Sequence, residues 1–118
     1  MEIVNIKFKA KKILDRKWIK GDLVHHKDSD NVWITDYENQ LISPVDPSTV
    51  CMFTGLKDKN GTPIYEGDIV MHKDNNAERR GDINWDSKAA AFCFGQDFLF
   101  LYSSEYMVVI GNKFDKNK

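Results

Sequence analysis

The feature that most constrains this chain is the segment 53–70, where two apolar runs flank the dipeptide Asn60-Gly61. Asn-Gly readily adopts the positive φ values that a two-residue type I′ turn requires at both central positions, and this turn joins antiparallel strands. The segment therefore predicts a β-hairpin. We assign Gly55, Asn60, Gly61 and Gly67 to backbone geometry, so substituting them should reduce stability before it reduces function.

Short runs with strand character continue along the rest of the chain. Apolar and polar residues alternate over 4–10, which predicts an opening strand with one buried face. Pro44 and Pro47 predict a loop over 43–47, because proline cannot donate to a ladder hydrogen bond. The further predicted strands are 18–19 and 22–26 with a break at Gly21, 31–37, 50–53, 68–72, 81–85, 89–94, 98–102 and 106–110. Strands this short and closely spaced favour a small β-barrel or a sandwich.

Length and composition limit the possible classes of protein. With 118 residues, 42% of them hydrophobic, the chain can build one domain or two very small lobes. It has no apolar run of about 18 residues and no signal-peptide pattern at its start, so we expect a cytoplasmic protein without membrane contact. Cys51 and Cys93 lack CxxC spacing and lie in apolar runs, which predicts buried thiols.

Charge is distributed unevenly along the chain. The net charge is −1, which does not favour coating of nucleic acid through bulk electrostatics. Residues 1–20 nevertheless carry seven basic and two acidic side chains, while the remaining 98 residues carry 10 basic and 16 acidic ones. Two interpretations stay open: a positive strip for a polyanion, or lysines that protect an edge strand from unwanted pairing. Protection of an edge strand is the favoured interpretation of these lysines.

The motif over 45–50, 53–61 and 64–70 closely resembles the YopX family of phage and prophage proteins. Residues 6–10 with Lys17-Trp18 look like the family's opening, and 109–112 look like its closing strand, so the resemblance covers nearly the whole chain. It implies an all-β protein, an SH3-like barrel in the C-terminal part, and an N-terminal β extension. It implies no reaction and no cofactor.

The resemblance also suggests a division of the chain. We predict one YopX-like β domain over 1–114, with N-terminal hairpins over 1–49 and the SH3-like barrel portion over 50–114, followed by a disordered tail over 115–118. Two features depart from the family pattern. Cys51-Met52 stand where small or polar residues are expected, and the tail lacks an acidic, proline-bearing end.

Catalytic and metal-binding patterns are weak. His25 and His26 are neighbours on a predicted strand and point to opposite faces, so at most one of them could join His72 in a metal site. Asp22 or Asp68 could supply a third ligand, but surface histidines are the favoured interpretation. Glu66 and Asp68 would project to the same side and could share a proton or bind a cation, but turn amides that bond to the aspartate are the favoured interpretation. With no GxSxG, GxGxxG or P-loop, we predict a non-enzymatic protein without metal or cofactor.

Binding is better supported by the residue types present. We expect Tyr65, Glu66 and Asp68 beside the hairpin, and Arg79 and Arg80 on the following loop, to be exposed candidate binding residues. Stacking of bases would require aromatic residues on an open face beside cations, whereas the favoured interpretation is that most aromatic residues of a small β protein fill its core. The candidates for it are Trp18, Trp33, Tyr37, Tyr65 and Trp85 with Lys57, Lys59, Arg79 and Arg80.

The sequence thus predicts a phage or prophage accessory protein that binds another phage or host protein, or a second copy of itself. The alternative is a nucleic-acid-binding SH3-like or OB-like barrel that uses the basic N-terminal strip.

Overall fold

The protein is all-β. A computed structural model describes residues 2–115, which form eleven strands in two antiparallel sheets, joined by turns and three-residue 3₁₀ segments. The chain divides into two compact units, Met1–Phe53 and Thr54–Lys118. No helix in the described part of the chain is long and apolar enough to cross a membrane.

The first unit contains four strands and the start of a fifth. They are β1 Phe8–Lys11, β2 Trp18–His25, β3 Val32–Asp36, β4 Ile42–Val45 and β5 Cys51–Lys57. Their order in the sheet is β4-β3-β2-β1-β5, so β1 lies between β2 and β5. The buried core of this unit is Ala10, Ile19, Val32, Ile34 and Val45. Alternation of side chains along β1 explains why Ala10 is buried, because its polar neighbours point to the other face of the sheet.

Three expectations for this unit are wrong. The first strand begins at Phe8, after a 3₁₀ turn over Ile3–Asn5. Gly21 does not break β2; a Cβ there would lie 1.8 Å from the carbonyl oxygen of Thr35, so glycine permits close approach of β3. Pro44 lies within β4 opposite Trp33, because β4 is the outer strand of the sheet and proline is tolerated at an edge.

The second unit contains the end of β5 and six further strands. They are β6 Pro63–Tyr65, β7 Asp68–Lys73, β8 Glu78–Asp86, β9 Ala91–Phe94, β10 Asp97–Phe98 and β11 Met107–Asn112. β6 lies beside β5, and the other five have the order β10-β9-β8-β7-β11. Six side chains form the buried core: Ile64, Val70, Ile83, Phe94, Leu99 and Met107.

The predicted hairpin is present as β5 and β6, but its turn is not type I′. Only Gly61 has a positive φ, at 82°, and Asn60 does not. The Gly61 N–H donates to the Asp58 carbonyl over 3.0 Å, and the Asp58 N–H donates to the Thr62 carbonyl over 2.9 Å. The Asp58 carboxylate accepts from the N–H groups of Asn60 and Thr62, which favours this longer turn.

Other predicted boundaries also differ from the structure. The strand predicted over 98–102 ends at Phe98 and continues as a 3₁₀ segment, Leu99–Leu101. Arg79 and Arg80 belong to β8 and not to a loop. Neither sheet closes on itself among the described residues, so the SH3-like barrel and the 49/50 boundary stay predictions. Of the predicted tail, Asp115 ends a 3₁₀ segment and the rest lies outside the described residues.

Candidate functional site

The five predicted binding residues fall into two groups. Tyr65 and Asp68 are each only 1% exposed, so the expectation that they are exposed is wrong. Asp68 accepts hydrogen bonds from the Tyr65 N–H over 2.7 Å and from Asn112 Nδ2 over 3.0 Å, which joins the ends of β6 and β11 to the start of β7. Glu66 is half-buried in the turn between β6 and β7. Asp68 therefore stabilises the fold and is not presented to solvent beside Glu66.

Arg79 and Arg80 are exposed, but they are neighbours on β8 and so project to opposite faces. The guanidinium of Arg79 lies 5.6 Å from the Tyr102 ring and 3.7 Å from Asp97 Oδ2. Tyr102 donates its hydroxyl proton to the same Asp97 oxygen over 2.6 Å. That hydrogen bond, together with burial, raises the pKa of Tyr102. Arg80 lies 3.9 Å from Glu78.

A small cleft of about 240 Å³ opens beside Arg79, between Gly95, Gln96 and Tyr102. Pockets for drug-sized ligands measure roughly 300–1,000 Å³, so this cleft fits a side chain better than a cofactor. His72 is buried, and its ring centroid lies 5.1 Å from that of Tyr102, which lines the cleft, and 5.9 Å from that of Tyr106. Within residues 2–115 no group of His, Cys, Asp or Glu side chains could hold a metal ion.

The second unit also carries an apolar groove of about 360 Å³, which we call the aromatic groove. It is lined mainly by Leu56, Ala91, Phe92, Leu99, Phe100 and Tyr102. Phe100 is 75% exposed and stacks on Phe98 with ring centroids 5.4 Å apart. The rings of Trp85, which is about half exposed, and Phe92 pack edge to face with their centroids 5.1 Å apart. The core of this unit thus continues into an open aromatic surface.

Sequence reasoning missed the aromatic groove. The run Phe98-Leu99-Phe100-Leu101 has the composition of a buried strand, and only Leu99 is buried. The 3₁₀ segment rotates Phe100 and Leu101 outward, and nothing in the apolar pattern distinguishes such a segment from a strand. The signal in the sequence was Gly95, because glycine just before this run indicates a turn of the backbone, and in the structure its φ is 62°.

The basic N-terminal strip forms a definite face in the first unit. Lys9 Nζ lies 4.7 Å from the Trp18 ring and Lys11 Nζ 5.4 Å from it, while Lys7 Nζ lies 4.5 Å from the Phe53 ring. We call Lys7, Lys9, Lys11 and Trp18 the lysine face. Because β1 lies between two strands, the favoured interpretation of these lysines as guards of an edge strand is wrong.

The cysteines are both buried, as predicted. Cys51 donates to the Thr49 carbonyl over 3.2 Å. Burial raises the pKa of the Cys93 thiol, with smaller contributions from Asp86 and Asp97. A protonated, buried thiol is a poor nucleophile.

Comparison with known proteins confirms the family resemblance. The family model described as "YopX protein" matches residues 7–117. A search of curated proteins finds no match. The match covers nearly the whole sequence and includes the hairpin, the lysine face and the aromatic groove. The chain therefore belongs to the YopX family.

Proposed function

We propose that this chain is a non-enzymatic binding module of a phage or prophage, which acts in the cytoplasm of the bacterial host by contacting another protein or a second copy of itself. The observation that carries the proposal is the aromatic groove. Large apolar side chains that stay exposed as a contiguous patch mark interaction surfaces, and aromatic residues supply much of the binding energy of protein interfaces.

The groove can supply useful binding energy. Covering Phe100, now 75% exposed, removes roughly 100–150 Å² of apolar surface from water. At roughly 25 cal/mol per Å² this contributes about 3 kcal/mol before the entropy of association is subtracted. Phe92 and Tyr102 form the walls of the groove, so a partner side chain placed there contacts rings on more than one side.

The residues considered for chemistry support a binding role over catalysis. Asp68 is occupied by two hydrogen bonds inside the fold. The Cys93 thiol is buried, with a raised pKa. His72 packs against aromatic rings, so its ring has no open approach for a substrate.

The proposal is tested by capturing partners from nuclease-treated lysate of host cells that carry the phage, with tagged wild-type protein, Phe100→Ala and Ile110→Ala. Ile110 is an exposed apolar residue of the same unit that does not line the groove, so it serves as the matched control. We expect a protein partner that Phe100→Ala loses and Ile110→Ala retains. Equal capture by all three proteins would contradict the proposed role of the groove.

The lysine face favours a second candidate function, binding of nucleic acid. Its lysines cannot be explained as edge protection, and single strands bind where aromatic rings and cations lie side by side. The test is fluorescence anisotropy of labelled single-stranded DNA and RNA at increasing salt, with Lys9→Glu and, as the control, Lys88→Glu in the second unit. Binding that falls steeply with salt and is lost only in Lys9→Glu would support this function; absence of binding at low salt would exclude it.

A further inference from the structure

The turn between β5 and β6 carries the dipeptide Asn60-Gly61, the only place in the sequence where glycine follows asparagine. Both residues are exposed. The side-chain amide of an asparagine can react with the backbone nitrogen of the next residue, which makes asparagine a chemically labile residue in proteins. A following glycine favours the attack, because no Cβ crowds its backbone. The turn therefore contains the one asparagine of the chain that is best placed in sequence for this reaction.

The reaction needs water as its only co-reactant. The Gly61 backbone nitrogen loses its proton and forms a bond to Cγ of Asn60, while the Cγ–Nδ2 bond breaks and Nδ2 leaves with that proton as ammonia. The product is a cyclic imide. Water then opens the ring: its hydroxyl group joins one of the two carbonyl carbons, and its other proton returns to the Gly61 nitrogen. Opening at Cγ gives aspartate, and opening at the backbone carbonyl carbon gives isoaspartate, whose main chain runs through the former side chain.

The folded turn opposes the first step of this reaction. The Gly61 N–H donates to the Asp58 carbonyl over 3.0 Å, so the nitrogen that must lose its proton is held in a hydrogen bond. The Asp58 carboxylate accepts from the N–H groups of Asn60 and Thr62, which flank Gly61. A carboxylate at this position disfavours a second negative charge on the Gly61 nitrogen. The same hydrogen bonds fix the backbone, so the nitrogen cannot move freely toward the side chain of Asn60.

We propose that Asn60 is a site of spontaneous deamidation and that the hydrogen bonds of Asp58 control its rate. In the folded protein the reaction waits for the turn to open, so its rate follows the open fraction of the turn. This inference goes beyond the proposed function, because the reaction needs no partner and no ligand.

The isoaspartate product weakens the turn that delayed its formation. It adds one carbon to the main chain between the N–H groups of residue Asn60 and residue Gly61. The N–H groups of Asn60 and Thr62 now converge on Asp58 Oδ1, each over 2.9 Å, and a longer chain between them disrupts that arrangement. Oδ2 of the same carboxylate accepts from Val109 on β11, so the change extends beyond the hairpin. The converted protein is therefore less stable than the original, and the conversion is not reversed by refolding.

The rate is tested by peptide mapping with mass spectrometry after incubation in mildly alkaline buffer, with the full chain folded or unfolded in urea. We expect Asn60 to convert at least about tenfold more slowly in the folded wild type than in urea, since every ~1.4 kcal/mol of opening free energy is worth a factor of ten. Folded Asp58→Asn should recover most of that difference. Asp74→Asn is the control, because Asp74 accepts from the turn amides of Asn76 and Ala77 in a different loop, and it should convert Asn60 like the wild type.

The consequence for stability is tested on the isoaspartate form, separated from aged wild-type protein by ion exchange. We expect its urea midpoint to be lower than that of fresh protein. Asn60→Asp is the matched control, because it adds the same charge without lengthening the main chain, and its midpoint should stay closer to that of the wild type.

The inference is overturned if Asn60 stays unconverted in the unfolded chain, or if folded and unfolded wild type convert at equal rates. An Asp58→Asn rate equal to that of the wild type would likewise refute control by Asp58. The comparison of folded with unfolded wild type needs no variant, so it decides the case where Asp58→Asn fails to fold.

Discussion

Replacing Asp58 by Asn should lower the free energy of unfolding by about 3 kcal/mol. Asp58 is 6% exposed, and its carboxylate accepts three backbone hydrogen bonds: Oδ1 from Asn60 and Thr62, and Oδ2 from Val109, each over 2.9 Å. The third bond crosses to β11, so one side chain stabilises the hairpin turn and a strand 51 residues away in sequence.

The magnitude follows from the atoms that asparagine can replace. The amide oxygen can still accept from Asn60 and Thr62, but the amide nitrogen then faces the Val109 N–H, and two donors cannot bond. One charge-assisted bond is lost, at roughly 1.5–3 kcal/mol, and two others become neutral and weaker. Asp58→Ala leaves all three N–H groups without this acceptor and should cost about 5 kcal/mol.

The effect should depend on pH. Burial acts to raise the pKa of Asp58, but the hydrogen bonds from Val109, Thr62 and Asn60 outweigh it, so the pKa lies below the ordinary value of 3.8. A carboxylate whose pKa is lower in the folded state stabilises the protein above the unfolded-state pKa and loses that contribution as the pH falls through the folded-state pKa. The difference between wild type and Asp58→Asn should therefore be constant near pH 7 and shrink below about pH 4.

Urea unfolding followed by circular dichroism at several pH values is the assay, and Asp74→Asn is the matched control. Asp74 also accepts from two turn amides, those of Asn76 and Ala77, but it is exposed. We expect Asp74→Asn to lower the free energy of unfolding less than Asp58→Asn does. A loss below about 1 kcal/mol in Asp58→Asn, or equal losses in the two variants, would refute this reasoning.

Three further predictions concern other parts of the molecule. Gly21→Ala places a Cβ 1.8 Å from the Thr35 carbonyl oxygen and should lower the free energy of unfolding, measured in urea, by at least about 3 kcal/mol. Gly55→Ala has open space and should lower it by about 1 kcal/mol, because alanine is strained at a φ of 90°. A larger loss of stability in Gly55→Ala than in Gly21→Ala would be inconsistent with these contacts. Cys93, buried and with a raised pKa, should react with a thiol reagent much more slowly in native protein than in urea, and equal rates would show that it is accessible. Tyr102 should ionise above pH 10 in an ultraviolet titration, and Tyr102→Phe should remove the absorbance step above pH 10. A Tyr102→Phe titration curve identical to that of the wild type would contradict the hydrogen bond from Tyr102 to Asp97.

Period-two patterns and turn residues predicted most of the strands because one face of each is buried. β3, β7 and β11 were found close to their predicted positions for this reason. The all-β class, the hairpin and the buried cysteines follow from the same local signals.

The misplaced features depend on contacts distant in sequence. Pro44 is compatible with a strand only because β4 is at the edge of its sheet, and Gly21 is needed because β3 approaches it. The burial of Asp68 is compensated by a hydrogen bond that Asn112 donates from a strand 44 residues later. The aromatic groove depends on the 3₁₀ turn that rotates Phe100 outward, which apolar composition does not reveal.

The most direct test of the central claim, that the aromatic groove binds a protein, is site-specific photocrosslinking in cells that express the chain. A photoreactive phenylalanine analogue would replace Phe100 in one strain and Ile110 in a control strain. The account predicts a nuclease-resistant protein adduct from position 100 and none from position 110. No adduct at position 100, or the same adducts from both positions, would contradict it.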